Sequence, residues 1–217
     1  MSVLPLWTSI VCCASYFAAQ LGMLFIPPPS LTQPVVSRYL GRLTFLTNQT
    51  NLICFLYYLA SVMNALAVVD LDAFLVGWFP LIFSLGLFLT PAYYGLDHFN
   101  KKKIEIRQLW ARKGYPHITF GSNLIHGLSL PTTLLAVLFF GTAPTTKQVL
   151  SAELYIFFYL VLIIVNRLAT GEYVYPFIAD AQRKMGLMGP VLVLGVLFSI
   201  GVSFGFLGAL IVSVLRG

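Results

Sequence analysis

The sequence predicts an all-α, polytopic membrane protein in which residues 1–217 form a single bundle of six transmembrane helices. The first observation is composition, because 59% of the residues are hydrophobic and 9% are charged, whereas a soluble domain carries about 25% charged residues. The second is that the apolar residues form long runs, each near the ~20 residues that a helix needs to cross hydrocarbon. The third is that these runs lack the strict alternation of barrel strands.

Six apolar segments follow one another along the chain. The first is longer than the apolar core of a signal peptide and has no charged segment before it, so we expect it to be retained as a span. It ends at three consecutive prolines, which cannot continue a helix. Asp70 and Asp72 separate the second segment from the third. The predicted spans are residues 4–26, 43–69, 74–96, 118–140, 152–168 and 187–215.

The basic residues indicate an orientation. Eleven of the 13 lysines and arginines lie in the first, third and fifth loops of the predicted bundle. The positive-inside rule places these odd-numbered loops in the cytosol and both termini outside or in a lumen, as expected in the endoplasmic reticulum or plasma membrane. A basic surface also attracts acidic membrane lipids or anionic substrates. The sequence has no zinc-finger or helix-turn-helix spacing, so we expect no nucleic-acid partner.

Two other features of the apolar segments have simple structural interpretations. The three cysteines, Cys12, Cys13 and Cys54, lie in apolar runs without metal-ligand spacing, and we expect neither a metal nor an organic cofactor. Gly201 and Gly205 form a small-xxx-small pair in the sixth segment, typical of close helix packing within a monomer or, alternatively, of dimerisation.

Polar residues inside predicted spans are the informative ones, because an unpaired amide in an apolar environment costs about 2–7 kcal/mol. Thr44, Thr47, Asn48 and Asn51 have the spacing of one helical face at the start of the second span. This face requires polar partners on other helices or a watery cavity.

Two further polar groups are predicted to lie on the same side of the membrane. Asn123 and His126 share a face at the start of the fourth span, where a histidine can be a general base, a proton relay or a structural residue. The third group, residues 166–177, follows the fifth span, where Gly171 can cap the helix. The odd-numbered loops bring all three groups to one membrane face.

A hydroxyl beside an imidazole is the minimum requirement for nucleophilic acyl transfer, with amide groups donating to the oxyanion. The sequence has no Gly-x-Ser-x-Gly elbow. No carboxylate is clearly the third member, since Asp97, Glu172 and Asp180 are candidates only by lying on the same side. A proton-coupled transporter uses the same residue types, so composition leaves both functions open.

Three patches resemble the androgen-induced protein family. They are Arg42-Leu43-Thr44-Phe45-Leu46, His126 with Pro131 five residues later, and Thr170-Gly171-Glu172-Tyr173-Val174-Tyr175-Pro176-Phe177, which is similar to the family signature Thr-Gly-x-Trp-Val-Tyr-Pro-Phe. Their order and approximate spacing also match, and the resemblance extends over about residues 5–215. Two positions depart from the family pattern, because Asn123 replaces a histidine and Tyr173 replaces the tryptophan.

The resemblance implies a six-span membrane hydrolase that cleaves fatty acid esters of hydroxy fatty acids. By motif, the family's threonine nucleophile falls on Thr44 and its histidine on His126. We expect Asn48 and Asn123 to orient the imidazole or bind the oxyanion, and we expect an arginine to hold a substrate carboxylate. The candidates for that contact are Arg38, Arg42 and Arg167. The expected partners are a lipid ester substrate and membrane lipids. The alternative is a membrane protein that binds or transports a lipid or solute without catalysis.

Overall fold

The computed structural model describes residues 3–217, and this part of the chain contains helices and no β-strand. The ten α-helices are α1 (Leu6–Gly22), α2 (Pro29–Thr32), α3 (Leu46–Ala65), α4 (Asp72–Tyr93), α5 (Lys101–Arg112), α6 (Ile118–Gly127), α7 (Ser129–Phe139), α8 (Thr146–Thr170), α9 (Pro176–Met185) and α10 (Met188–Arg216). Short 3₁₀ turns lie at Met23–Phe25 and Gly41–Thr44, and a π-turn, Tyr94–His98, extends α4.

Five helical segments are long and apolar enough to cross a membrane, when consecutive helices separated by at most one residue are counted as one segment. They are Leu6–Phe25, Asp72–His98, Ile118–Phe139, Thr146–Thr170 and Met188–Arg216. The all-helical class is therefore confirmed. The second predicted span folds as α3, which is not among the five because its first turns are rich in threonine, asparagine and glutamine.

Helix α4 is the centre of the bundle. It packs against α3, α7, α8 and α10, and 67% of its most apolar stretch is buried, against 22–33% in the other four candidate spans. Large apolar side chains on the outer faces of α8 and α10 are exposed, as expected for surfaces that face lipid. Examples are Phe158, Leu168, Val191, Leu210 and Val214.

The main core lies where α1, α3, α4 and α7 meet. It is aromatic: Tyr16 stacks on Tyr58 with ring centroids 5.7 Å apart, and Phe79 stacks on Phe140 at 3.7 Å. The small-xxx-small pair of α10 faces α8. A Cβ at Gly201 would meet Ile156, and one at Gly205 would meet Glu153. Close packing within the monomer therefore accounts for both glycines.

The helix ends differ from the predicted spans where the backbone is interrupted. The fourth span is divided, because α6 ends at Gly127 and α7 begins at Ser129. Pro131 contributes to this break, since a proline removes one backbone donor and displaces the carbonyl four residues earlier, here that of Gly127. The predicted cap of the fifth span is present: Gly171 adopts the left-handed conformation (φ 82°) after α8.

Candidate functional site

The break between α6 and α7 lies directly after His126. The carbonyl of His126 does not bond the amide of Leu130 four residues on. The hydroxyl Oγ1 of Thr90 on α4 lies 2.5 Å from the His126 carbonyl and 3.1 Å from the Leu130 amide, so it donates to the first and accepts from the second. The Ser129 hydroxyl is also 3.3 Å from the same carbonyl. Neighbouring side chains thus satisfy the interrupted backbone, as a membrane interior requires.

The contacts of the His126 imidazole define which ring nitrogen carries the proton. Its Nδ1 lies 2.8 Å from the carbonyl oxygen of Ser122, one turn back in α6. Because a carbonyl only accepts, Nδ1 carries the proton and donates, and in the neutral ring Nε2 is left as an acceptor. Nε2 lies 3.4 Å from Oγ1 of Thr47 on α3. The Thr47 hydroxyl is therefore the donor in this contact.

The ring of His126 is also held from its face. Tyr93 at the end of α4 stacks on it, with centroids 4.1 Å apart and an interplanar angle of 7°. The π-turn that follows brings back His98, whose Nδ1 lies 3.0 Å from the Tyr93 hydroxyl. Two helices therefore fix the imidazole plane. We use "the His126 site" for His126, Thr47, Ser122 and Tyr93.

Thr44 does not lie on the helical face that its spacing predicted. It ends the 3₁₀ turn Gly41–Thr44, Phe45 is extended (φ −100°, ψ 133°), and α3 begins only at Leu46. The side chain is 2% exposed, and its hydroxyl has no hydrogen-bond partner among the described residues. The structure therefore brings the hydroxyl of Thr47, one turn further on, to the imidazole.

The start of α3 is held by tyrosines of the C-terminal half. The amide of Leu46 donates to the hydroxyl of Tyr175 at 3.2 Å, and the hydroxyl of Tyr159 on α8 lies 2.7 Å from that of Tyr175. Tyr159 also donates to the carbonyl of Thr44 at 3.3 Å. Tyr175 belongs to the segment that follows α8, so all three polar groups of the sequence meet around the first turn of α3.

The predicted supporting amides bind elsewhere. Asn48 donates through Nδ2 to the carbonyl of Arg42 at 2.8 Å, and its Oδ1 is buried without a partner in the described part of the chain. Asn123 accepts at Oδ1 from the hydroxyl of Tyr94 at 3.4 Å. Neither bonds the imidazole. Asn51, one turn after Thr47, donates to the carbonyl of Ile125 at 2.9 Å and so ties α3 to α6 beside His126.

The three predicted head-group arginines have different environments. Arg42 donates to the carbonyls of Met23 and Ile26 at 3.1 and 3.5 Å and thereby anchors the end of the first helix. Burial lowers the pKa of Arg42, with a smaller opposing effect from Tyr115. Arg38 is exposed. Arg167 lies over the ring of Tyr173 at 5.2 Å and lines an open cleft together with Gln182 and Arg183.

None of the three carboxylates considered from sequence bonds the imidazole. Asp97 pairs with Arg107 at 2.6 Å and with Lys103 at 3.6 Å. Asp180 pairs with Arg183, and Glu172 is exposed. The Ser122 carbonyl therefore takes the orienting place that a carboxylate has in many hydrolases.

One buried acid escaped the sequence interpretation. Glu153 on α8 is 1% exposed and bonds Ser84 of α4. The signal was available, because a carboxyl near the start of an apolar run is costly unless it meets a partner. Glu153 lies inside the predicted span 152–168, and no role was assigned to it from the sequence.

The arrangement at His126 has the donor and acceptor order that general-base activation of a hydroxyl requires: carbonyl oxygen, N–H, unprotonated nitrogen, hydroxyl. The 3.4 Å separation is long for an O–H···N bond, as is common for catalytic contacts in unliganded proteins. No protein-family model, curated protein or solved structure matches this chain.

Proposed function

We propose that the protein is a multi-pass membrane hydrolase of lipid esters, with His126 as general base and Thr47 as nucleophile. The observation that carries the proposal is the contact between Thr47 Oγ1 and Nε2 of His126, in a ring whose Nδ1–H is already bonded to the Ser122 carbonyl. The family resemblance supplies the substrate class, fatty acid esters of hydroxy fatty acids. It points to Thr44 for the nucleophile, and the geometry favours Thr47.

The proposed reaction has two halves. Oγ1 of Thr47 attacks the ester carbonyl while Nε2 of His126 takes the hydroxyl proton. The tetrahedral intermediate expels the alkoxide of the hydroxy acid, which receives that proton from Nε2. Water, deprotonated by the same nitrogen, then attacks the acyl-threonine, and the bond from the acyl carbon to Oγ1 breaks as Nε2 returns the proton to Oγ1, which releases the fatty acid and restores Thr47. The second N–H of Asn48, next to Thr47, is the proposed donor to the oxyanion.

We infer that α3 is the sixth span. Its outer side carries exposed apolar residues such as Leu52, Leu56 and Leu59, and it packs along α1 and α4. With six spans, the polar start of α3, the start of α6 and the segment after α8 share one membrane face, and we propose that this face is cytosolic because the odd-numbered loops carry most of the lysines and arginines. On that face Arg38 and Arg167 are the proposed contacts for a substrate carboxylate.

The test is hydrolysis of a fluorogenic fatty acid ester by purified protein in nanodiscs. Loss of a general base typically costs about 10²–10⁴-fold in rate, so we expect that loss in His126→Ala and a comparable one in Thr47→Ala. Thr47→Ser should retain turnover. A fluorophosphonate probe should label residue 47.

Thr44→Ala is the matched comparison, because it removes a neighbouring hydroxyl that has no partner among the described residues. It should keep most of the activity. Loss of activity and of probe labelling in Thr44→Ala, with Thr47→Ala unaffected, would transfer the nucleophile to Thr44. Ligand-induced stabilisation without turnover in the parent protein would favour the binding or transport alternative.

A further inference from the structure

Glu153 is a buried acid within the bundle and lies apart from the His126 site. It lies on α8 where that helix packs against α4 and α10, and it is 1% exposed. The chain has seven acidic residues, all within the described part, and the other six are exposed or partly exposed. Among the described residues, Glu153 forms no ion pair. A carboxylate in this place would be an uncompensated charge in an apolar environment.

The hydrogen bonds around Ser84 show where a proton must be. Its hydroxyl oxygen lies 2.6 Å from Oε1 of Glu153, 2.9 Å from the carbonyl of Pro80 and 3.1 Å from the carbonyl of Gly201. A hydroxyl has one proton to donate, whereas all three neighbours would be acceptors if the carboxyl were ionised. The shortest of the three contacts is the one to the carboxyl. If Glu153 carries a proton, it can donate to the Ser84 oxygen, and the Ser84 proton is then free to bond one of the two backbone carbonyls.

We propose that Glu153 is a proton-binding site inside the membrane domain. At neutral pH its Oε1–H donates to the hydroxyl of Ser84, and Ser84 donates onward to the carbonyl of Pro80 or Gly201. The other oxygen, Oε2, is buried without a hydrogen-bond partner among the described residues and is the open acceptor of the site. The proposal is independent of the Thr47 and His126 chemistry.

The surroundings fit a neutral acid. Helix α10 contributes Gly205, whose missing side chain makes room for the carboxyl group, and its one basic residue, Arg216, lies in the last turn of the helix. The apolar neighbours Leu81, Leu85 and Ile156 line the same helix interface. The remaining titratable groups of α4 and α10, Asp72, Tyr93 and Arg216, lie at the helix ends. On α8 itself, the hydroxyl of Tyr155 is bonded to Gln49.

The test is infrared spectroscopy of the purified full-length protein at neutral pH, in H₂O and D₂O. A protonated carboxylic acid has a carbonyl stretching band that is separate from the carboxylate bands and shifts in D₂O. We expect that band in the parent protein and its loss in Glu153→Gln, while ester hydrolysis is retained. Glu105→Gln, on the exposed face of α5, is the control and should keep the band.

Ser84→Ala provides a second measurement if Glu153→Gln does not fold. It removes the partner of the acid, so the band should persist at a higher frequency. Absence of the band from the parent protein, or its persistence in Glu153→Gln, would overturn the proposal. Carboxylate bands at neutral pH that respond to sodium but not to choline chloride would also overturn it and would indicate a bound cation.

Discussion

The His126 site and the Glu153–Ser84 pair are two solutions to the same problem, a polar side chain among apolar helices. At His126 the helix is interrupted, and the backbone supplies a carbonyl to the imidazole, while Thr90 supplies the bonds that the break removed. At Glu153 the helices are continuous. The carboxyl group of Glu153 bonds one hydroxyl, that of Ser84, and packs against the backbone of Gly205.

The difference shows what a helix break contributes to a site. In a continuous helix most backbone groups are already bonded, so a buried side chain must find its partners on other side chains or carry a proton that removes its charge. The Ser122 carbonyl that orients the ring lies inside α6 and accepts through its second lone pair, whereas the break after His126 leaves a carbonyl and an amide that recruit a side chain from another helix, Thr90. Hence a reactive base is expected at His126, where partners are several, and a neutral acid at Glu153, where they are few.

The largest effect should come from filling the space beside Glu153. At Gly205 a Cβ would already contact the carboxyl, and the side-chain carbons of Glu153 lie 3.1 and 3.3 Å away. Gly205→Leu should therefore force α8 and α10 apart and destabilise the protein by about 3 kcal/mol, the upper end of the cost of overpacking. The measurement is Tm in detergent.

Gly195→Leu is the matched control on the same helix, since nothing lies within 4 Å of a Cβ at that position. Its Tm should stay near that of the parent protein. Equal losses at positions 195 and 205 would mean that a larger side chain anywhere on α10 is harmful, and that packing against Glu153 is not the cause.

Thr90→Val probes the other region, where a side chain repairs the break. The change keeps the shape and removes the hydroxyl that serves the His126 carbonyl and the Leu130 amide. Leaving buried backbone groups unpaired should cost about 2 kcal/mol. Because the same carbonyl belongs to His126, ester hydrolysis should fall as well, whereas the infrared band of Glu153 should not change.

Thr50→Val is the comparison for that substitution, because it removes a buried hydroxyl with no hydrogen-bond partner in the described part of the chain. Its stability should equal or exceed that of the parent protein. A decrease in Tm as large as that of Thr90→Val would show that the hydrogen bonds at the break contribute nothing measurable.

The sequence predicted the features that depend on periodicity and composition. The all-helical class, the glycine cap at Gly171 and the tight packing at Gly201 and Gly205 follow from local rules and are present in the structure. The break after His126 was not predicted. Pro131 was noted, but the hydroxyl that stabilises the break, Thr90, comes from another helix, and no spacing rule relates the two residues.

The polar start of α3 shows a second limit of prediction from sequence, the position at which a helix begins. Spacing placed Thr44 and Thr47 on one helical face, but the extended conformation of Phe45 separates them, and α3 begins at Leu46. A shift of two or three residues in a helix start is beyond the resolution of a hydropathy pattern. Here it decides which hydroxyl meets the imidazole. Glu153 is a different case: its position in an apolar run was a signal, but its partner Ser84 is 69 positions away, and no spacing rule identifies it.

The smallest of these effects should come from Tyr175→Phe, which tests whether the start of α3 needs its external support. The Tyr175 hydroxyl accepts from the Leu46 amide and bonds the hydroxyl of Tyr159. Its removal should cost about 1 kcal/mol, the net value of a typical hydrogen bond, and slow ester hydrolysis because Thr47 follows one residue after Leu46. Tyr39→Phe, at a tyrosine that is 61% exposed, should change neither Tm nor rate. If Tyr175→Phe lowers Tm but leaves the rate of hydrolysis unchanged, the first turn of α3 holds Thr47 at the imidazole without help from Tyr175, and the support is purely structural.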